Sequence, residues 1–449
     1  MNFDTFIVSS YDHRLVVNHG FLSALKKLKY KYNATMFLLP TSVYTEEQEA
    51  SILPEPILSL FDHNYLFEDR YFNDNLVLKP GKSHAFRQNP FGGFEGLHID
   101  KTMVIGGLPR RLITLPSGNG TRKVISAGSA GELSYFDPAE GYPKSSGRNW
   151  ELQKMYARPS ASIIQIHEET KKVFHRYVQW DFEEEGIYDL MFFYSGNSEE
   201  VKTTKPYMML GDAHVSEQDI KAWLATKEQI KSLNPERLII QDVFNGSSVN
   251  HHEINRATTY SKDNKPDLID ELILTSSWLD ELSEFDIPID WLHSNHDDFL
   301  VKYLDDVKNW TKDRHNAQLS YTLLNEYLKN PEKHPIDNAL ELGSKNRARW
   351  LSNKKDHYFY KTFVTHGHVG ENGSRSFNIQ KMSKYLNSFA IGHVHRESVI
   401  NNAMVVGTLS DLNPNYKVGV SAWCHGNGLI HPNGAVQLLS ISDGIHSIF

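Results

Sequence analysis

Pro206-Tyr207-Met208-Met209-Leu210-Gly211-Asp212-Ala213-His214 decides the reading of this chain. A short apolar run ends at a glycine, and an acid and an imidazole follow one residue apart, as expected of a buried strand that delivers polar groups past its carboxyl end. The arrangement recurs downstream. Leu238-Ile239-Ile240-Gln241 runs into Asp242, and Ile289-Asp290-Trp291-Leu292-His293 leads to Ser294-Asn295-His296-Asp297. Phe363-Val364-Thr365 leads to His366-Gly367-His368, and Phe389-Ala390-Ile391 leads to Gly392-His393-Val394-His395. Each cluster alone is weak: among 22 histidines a lone His-X-His is more often surface or core, and an Asp after a strand is often only a helix cap. Their order, always at strand ends, is what points to a common site at one sheet edge.

Carboxylate, imidazole and side-chain amide oxygen suit divalent cations that activate water. Asp212, His214, Asp242 and His395 could supply one cation, and Asp242, Asn295, His366 and His393 a second, with Asp242 bridging. Two cations about 3.5–4 Å apart can share a hydroxide and clamp the attacking and leaving oxygens of an in-line displacement, for which phosphorus is the natural target. His296 is better used unbound, as a general acid for the departing alkoxide or as a donor to a phosphate oxygen, with Asp297 to orient it. His366 is preferred to His368 as a ligand because it comes directly off the apolar run. Ligand types leave the metal open among Mn, Fe, Zn, Co, Ni and Mg.

The order Asp-X-His, Asp, Asn-His-Asp, His-Gly, Gly-His-X-His, spread over residues 206–445, resembles the calcineurin-like metallophosphoesterase superfamily. The resemblance implies a four-layer α/β/β/α sandwich, a dinuclear centre with the ligand split above, and hydrolysis of a phosphate ester or diester, with His296 at the position of the family's catalytic histidine. The terminal Gly392-His393-Val394-His395 and a sizeable extra domain are most similar to the SbcD-type DNA-repair exonuclease branch, phage-encoded DNA-degrading members included. That branch implies DNA as substrate, manganese as the cation and a homo-oligomer. Two positions depart from the family pattern. Gln241 stands where a glycine usually precedes the bridging aspartate, and Asn245 where a second acid follows it. The first leaves the ligands intact; the second removes a charge partner for His296 that Asp297 could replace.

A chain of 449 residues is long for one core, which suggests two domains. An N-terminal accessory α/β domain is expected over residues 1–200, and the phosphoesterase domain over 201–449 with a helical, partly basic insertion over 299–358. The boundary is set by the polar, turn-rich Ser195-Gly196-Asn197-Ser198-Glu199-Glu200-Val201-Lys202. Net charge is −8, so a polyanion must be held by a local basic patch or by metal. Lys345, Arg347, Arg349, Lys354 and Lys355 with Trp350 among them form such a patch, suited to a phosphate backbone and an unstacked base. A solvated helix face is the competing reading. The single Cys424 excludes an intramolecular disulfide and a cysteine zinc site. No secretory pattern and no apolar run of roughly 18 residues is present, so the expected setting is cytoplasmic, or host cytoplasm for a phage-encoded protein, with no membrane partner. The expected function is a two-metal deoxyribonuclease. A small-molecule or phosphoprotein phosphatase or phosphodiesterase is the second reading, and a non-catalytic nucleic-acid-binding scaffold with a relic site the third.

Overall fold

The computed structural model describes residues 2–12, 15–41, 53–81, 89–118, 120–133, 158–250, 267–313, 315–342, 347–374, 377–414 and 419–448. Alternation along its strands sorts apolar side chains into separate cores. In Arg237–Gln241, Leu238 and Ile240 enter one core while Ile239 between them enters another. Val436–Ser442 divides the same way, with Leu439 and Ile441 on one side and Val436 and Leu438 on the other. These strands belong to a seven-stranded mixed sheet ordered Arg349–Leu351, Ile289–Leu292, Arg237–Gln241, Tyr207–Met209, His425–Ile430, Val436–Ser442, Ile445–His446. The first four run parallel, and the last three join antiparallel. Helices Ile220–Leu233 and Leu268–Ser283 pack on its outer core through Trp223, Ile230, Leu272 and Leu279.

The inner core is shared with two further sheets. A ten-stranded mixed sheet contributes Val364, Ala390 and Met404 and, from the first half of the chain, Leu76, Leu78, Val104 and Ile125. A seven-stranded sheet built from residues 3–203 contributes Val8, Phe37, Leu39 and Ile164, and turns Ile7, Leu38 and Ile163 into a core shared with helix His19–Tyr32. The architecture is thus mixed α/β with several mixed sheets. Strands from either side of residue 200 hydrogen-bond within the ten-stranded sheet, where Ser398–Ile400 runs antiparallel to Arg111–Ile113. Among the described residues no helix is long and apolar enough to cross a membrane.

The helix at Ile220 is capped by Asp219, whose carboxylate accepts from Ala222 N at 2.9 Å. Ser216 lies in the preceding 3-10 turn Val215–Glu217. The insertion expected to be helical over 299–358 is, among the described residues, helical only as far as Leu340. Arg349–Leu351 is an edge strand parallel to Asp290–Leu292, fixed by Arg349 reaching Asp290 with Nε–Oδ1 at 2.7 Å and Nη2–Oδ2 at 3.0 Å.

Buried polar pairs tie the halves together. Lys123 contacts Glu397 at 2.5 Å, and the Glu397 carboxylate is fully buried and accepts from Ser440. Arg176 pairs with Asp189, Nε–Oδ1 2.6 Å, while Tyr32 Oη donates to Oδ2 at 2.5 Å and Gln437 Nε2 to Oδ1 at 3.2 Å. Burial opposes the charge of Asp189, but Arg176 and these donors outweigh it and hold the carboxyl below its ordinary value. A depressed carboxyl contributes stability that is complete above the ordinary carboxylate range and is lost as pH falls from there through the lowered folded-state value. Arg176→Met is therefore expected to cost about 3–5 kcal/mol at neutral pH by leaving Asp189 buried and unpaired. Denaturant titration of both proteins at pH 7 and near pH 3 checks this: the difference should shrink in acid.

Candidate metal centre

The strands end and the backbone turns sharply at the ligand positions. His214 (φ 38°), Asp242 (φ 46°), His393 (φ 65°) and His395 (φ 55°) all occupy the left-handed region. Such conformations cost side-chain-bearing residues about 1–3 kcal/mol each and persist where the surroundings over-determine them. Gly392 serves close approach instead, because a Cβ there would collide with Asp212 Oδ1 and Gln241 Nε2. Only glycine lets the Gly392–His395 turn lie directly against the Asp212 carboxylate.

Asp212, His214, Asp242 and His395 are all buried, with one ligand atom of each within 4.8 Å of the others. Asp212 Oδ2 is 2.9 Å from His395 Nε2, and Asp242 Oδ2 is 3.5 Å from His214 Nε2 and 3.3 Å from His366 Nε2. Among the described residues, neither Asp212 oxygen nor Asp242 Oδ1 accepts a well-aligned hydrogen bond. Buried carboxylates are ordinarily paired, hydrogen-bonded or bound to a cation. His366 Nε2 faces Asn295 Oδ1 at 3.0 Å, which brings six of the seven expected ligands into one linked group. His393 joins through its ring, 5.0 Å from that of His366.

Amide side chains fix the imidazoles. Gln241 donates its Nε2 to Leu210 O at 3.2 Å, so its Oε1 accepts from His366 Nδ1–H at 3.1 Å. Asn245 donates Nδ2 to Ser216 and Ser247, so its Oδ1 accepts from His214 Nδ1–H at 2.9 Å. Burial holds both imidazoles neutral, His214 down to about 3 and His366 well below the usual range. Each therefore presents an Nε2 lone pair to the centre. His366 meets the Asn295 oxygen acceptor to acceptor, and His214 Nε2 faces His395 Nε2 at 3.1 Å. Lone pairs and carboxylate oxygens aimed at one another are what a cation between them would relieve, so these residues fit a divalent metal.

The two carboxylates respond oppositely. Burial, then the proximity of Asp242, raises Asp212 well above the usual carboxyl range. Burial acts against the charge of Asp242 as well, yet of the two carboxyls it is the one that stays low, where the rings of His366, His296 and His214 face it. Without a cation the pair is poised to hold one proton, as like charges sharing a dry site must.

His296 packs edge-on against His214, ring centroids 4.6 Å apart, and its Nδ1–H donates to the Asn245 carbonyl at 2.6 Å. That carbonyl takes the orienting part assigned from sequence to Asp297. Asp297 instead accepts from Ser294 N at 2.8 Å and Trp291 Nε1 at 3.3 Å, and burial raises its carboxyl to about 7. Gln241 and Asn245 were visible in sequence as departures, yet their side chains are the imidazole positioners. Amides close beside a ligand aspartate were the available signal.

Of the basic patch, Lys345 lies outside the described residues. Arg347 bonds Ser276 Oγ and Asp280, Arg349 is held by Asp290, and Trp350 stacks on His334 at 4.7 Å. Lys354 and Lys355 are exposed. A second group, His293, Asp298 and His334, also gathers within 4.8 Å. There His293 donates to Asp298 at 2.8 Å, and His334 Nδ1 accepts from Ile336 N, which puts the proton on Nε2. That is the chemistry of an ion pair and a helix cap.

No family model and no curated protein matches the chain. Among solved structures, Vps29 of Chaetomium thermophilum is similar over 45% of this chain and 98% of that chain, at 11% identity and a TM-score of 0.23. At that score the likeness carries no argument about the chemistry, which rests on the site itself.

Asn245→Ala frees His214 to adopt the other tautomer. Cation affinity, measured by titration calorimetry with manganese, is expected to fall about 10–100-fold, the usual effect of losing a group that orients a ligand. Unchanged affinity would remove Asn245 from the centre's support.

Proposed function

We propose that the chain is a phosphoester hydrolase of the calcineurin-like metallophosphoesterase type, with its strands and helices arranged as the α/β/β/α sandwich of that superfamily and two divalent cations held at the centre. The observation that carries this reading is the buried meeting of Asp212, His214, Asp242 and His395 around carboxylate oxygens without aligned donors. Asp242 lies between the imidazoles of His214 and His366, which suits it to serve both cations. When bound, the cations supply Lewis-acid charge and an activated water.

The chain's own groups do the rest. His214 and His366 are held with Nε2 inward by Asn245 and Gln241. His296, anchored through Nδ1–H on the Asn245 carbonyl, is left with Nε2 to give a proton to the leaving oxygen. The resemblance to the SbcD-type branch adds DNA as the polymer cleaved, manganese as the cation, a homo-oligomer and a cytoplasmic setting. A second reading, a phosphodiesterase for small molecules, is favoured by the engagement of Arg347 and Arg349 with Asp280 and Asp290, which draws two of the basic residues into the fold.

Metal-stripped protein resupplied with manganese is expected to cleave linear DNA, and loss of closed-circular DNA as well would assign endonuclease action. His296→Ala should lower phosphodiester hydrolysis about 10²–10⁴-fold with cation content unchanged. Survival of both DNA forms alongside hydrolysis of a chromogenic diester would select the small-molecule reading; full activity of His296→Ala would remove His296 from the mechanism.

A further inference from the structure

A cavity of about 320 Å³ opens beside the centre, with His366 and Thr365 on its wall. Ligand pockets span about 300–1,000 Å³, so this one has room for a group the size of one nucleoside and not for a strand. Phe363 and Phe377 line it, near-parallel at 22° with centroids 6.3 Å apart and only half-buried. Flat, partly exposed aromatic faces of this kind stack on heteroaromatic rings. Asn353 and Thr365 add hydrogen-bonding groups to the same wall, and Lys355 a cation.

The cavity's position within the centre says which part of a substrate it meets. It touches His366, whereas His296 packs on His214. In the proposed mechanism the oxygen protonated by His296 would leave on the His214 side, and a group seated beside His366 would be the one that stays on phosphorus.

We propose that this cavity seats the nucleoside retained by the product, its base against Phe363 and Phe377 and its polar edge towards Asn353 and Thr365. This rests on the phosphodiester reading above. Water gives up a proton as its oxygen bonds to phosphorus, the bond from phosphorus to the leaving alcohol's oxygen breaks, that oxygen takes a proton from His296, and the nucleoside monophosphate remains.

The test compares thymidine 5′-(4-nitrophenyl) phosphate with methyl 4-nitrophenyl phosphate, which release the same nitrophenolate, using the full manganese-loaded chain. The nucleoside ester is expected to have a kcat/KM about ten-fold higher or more. Leu386→Trp, which fills the cavity from its wall, and Phe377→Ala, which removes a stacking face, should each bring the ratio towards one. Thymidine 5′-monophosphate binding, followed by calorimetry in the same proteins, should weaken in parallel. Equal kcat/KM for the two esters, with nucleotide binding unmoved in both variants, would overturn the nucleoside seat while the phosphodiester reading stands. If neither ester is hydrolysed, the functional reading fails, and the calorimetry alone decides the cavity: nucleotide binding lost in the variants upholds it, and no binding overturns it.

Discussion

Asp212 and Asp242 are buried side by side with three carboxylate oxygens lacking aligned donors, and the rest of the site is organised around that constraint. Two anions cannot share a dry site unless a proton or a cation sits with them. The surrounding imidazoles cannot supply the charge, because burial holds His214, His366 and His395 neutral. A centre of this composition could hold a divalent cation between its carboxylates and imidazoles.

Holding the receptor open draws on distant parts of the chain. The Gly392–His395 turn, with two of its residues in left-handed conformation, leads directly into Glu397, whose buried carboxylate is met by Lys123 from the first half. Thr114 donates to the Glu397 carbonyl at 2.9 Å, and the strand that follows pairs with Arg111–Ile113. The first half of the chain is therefore part of the frame that sets His393 and His395, through the sheet as well as through ion pairs.

Much of this was legible in the residues. Apolar runs ending in Asp, Asn and His marked the parallel strands and their loaded ends, since a buried strand and its exit obey local rules. What the sequence hid was long-range. Nothing local says that Arg349 would pair with Asp290 and make a strand of a segment that reads as a basic helix face, or that strands near residue 113 would join strands near 399. Asp297 was misassigned as the orienter of His296 because adjacency in sequence suggested contact, whereas the turn into helix Asp297–Asp305 directs its carboxylate to Ser294 and Trp291.

If cations answer the buried pair, the most direct measurement is to count them. Equilibrium dialysis of the native chain against manganese, with Asp212→Asn and Asp242→Asn beside it, should find two ions per native chain. It should find about one in the first variant and close to none in the second, since in the proposed split of ligands the Asp242 carboxylate would serve both positions. A native chain that takes up no manganese or zinc, or an Asp242→Asn variant that binds as the native chain does, would contradict a two-cation centre built on these carboxylates.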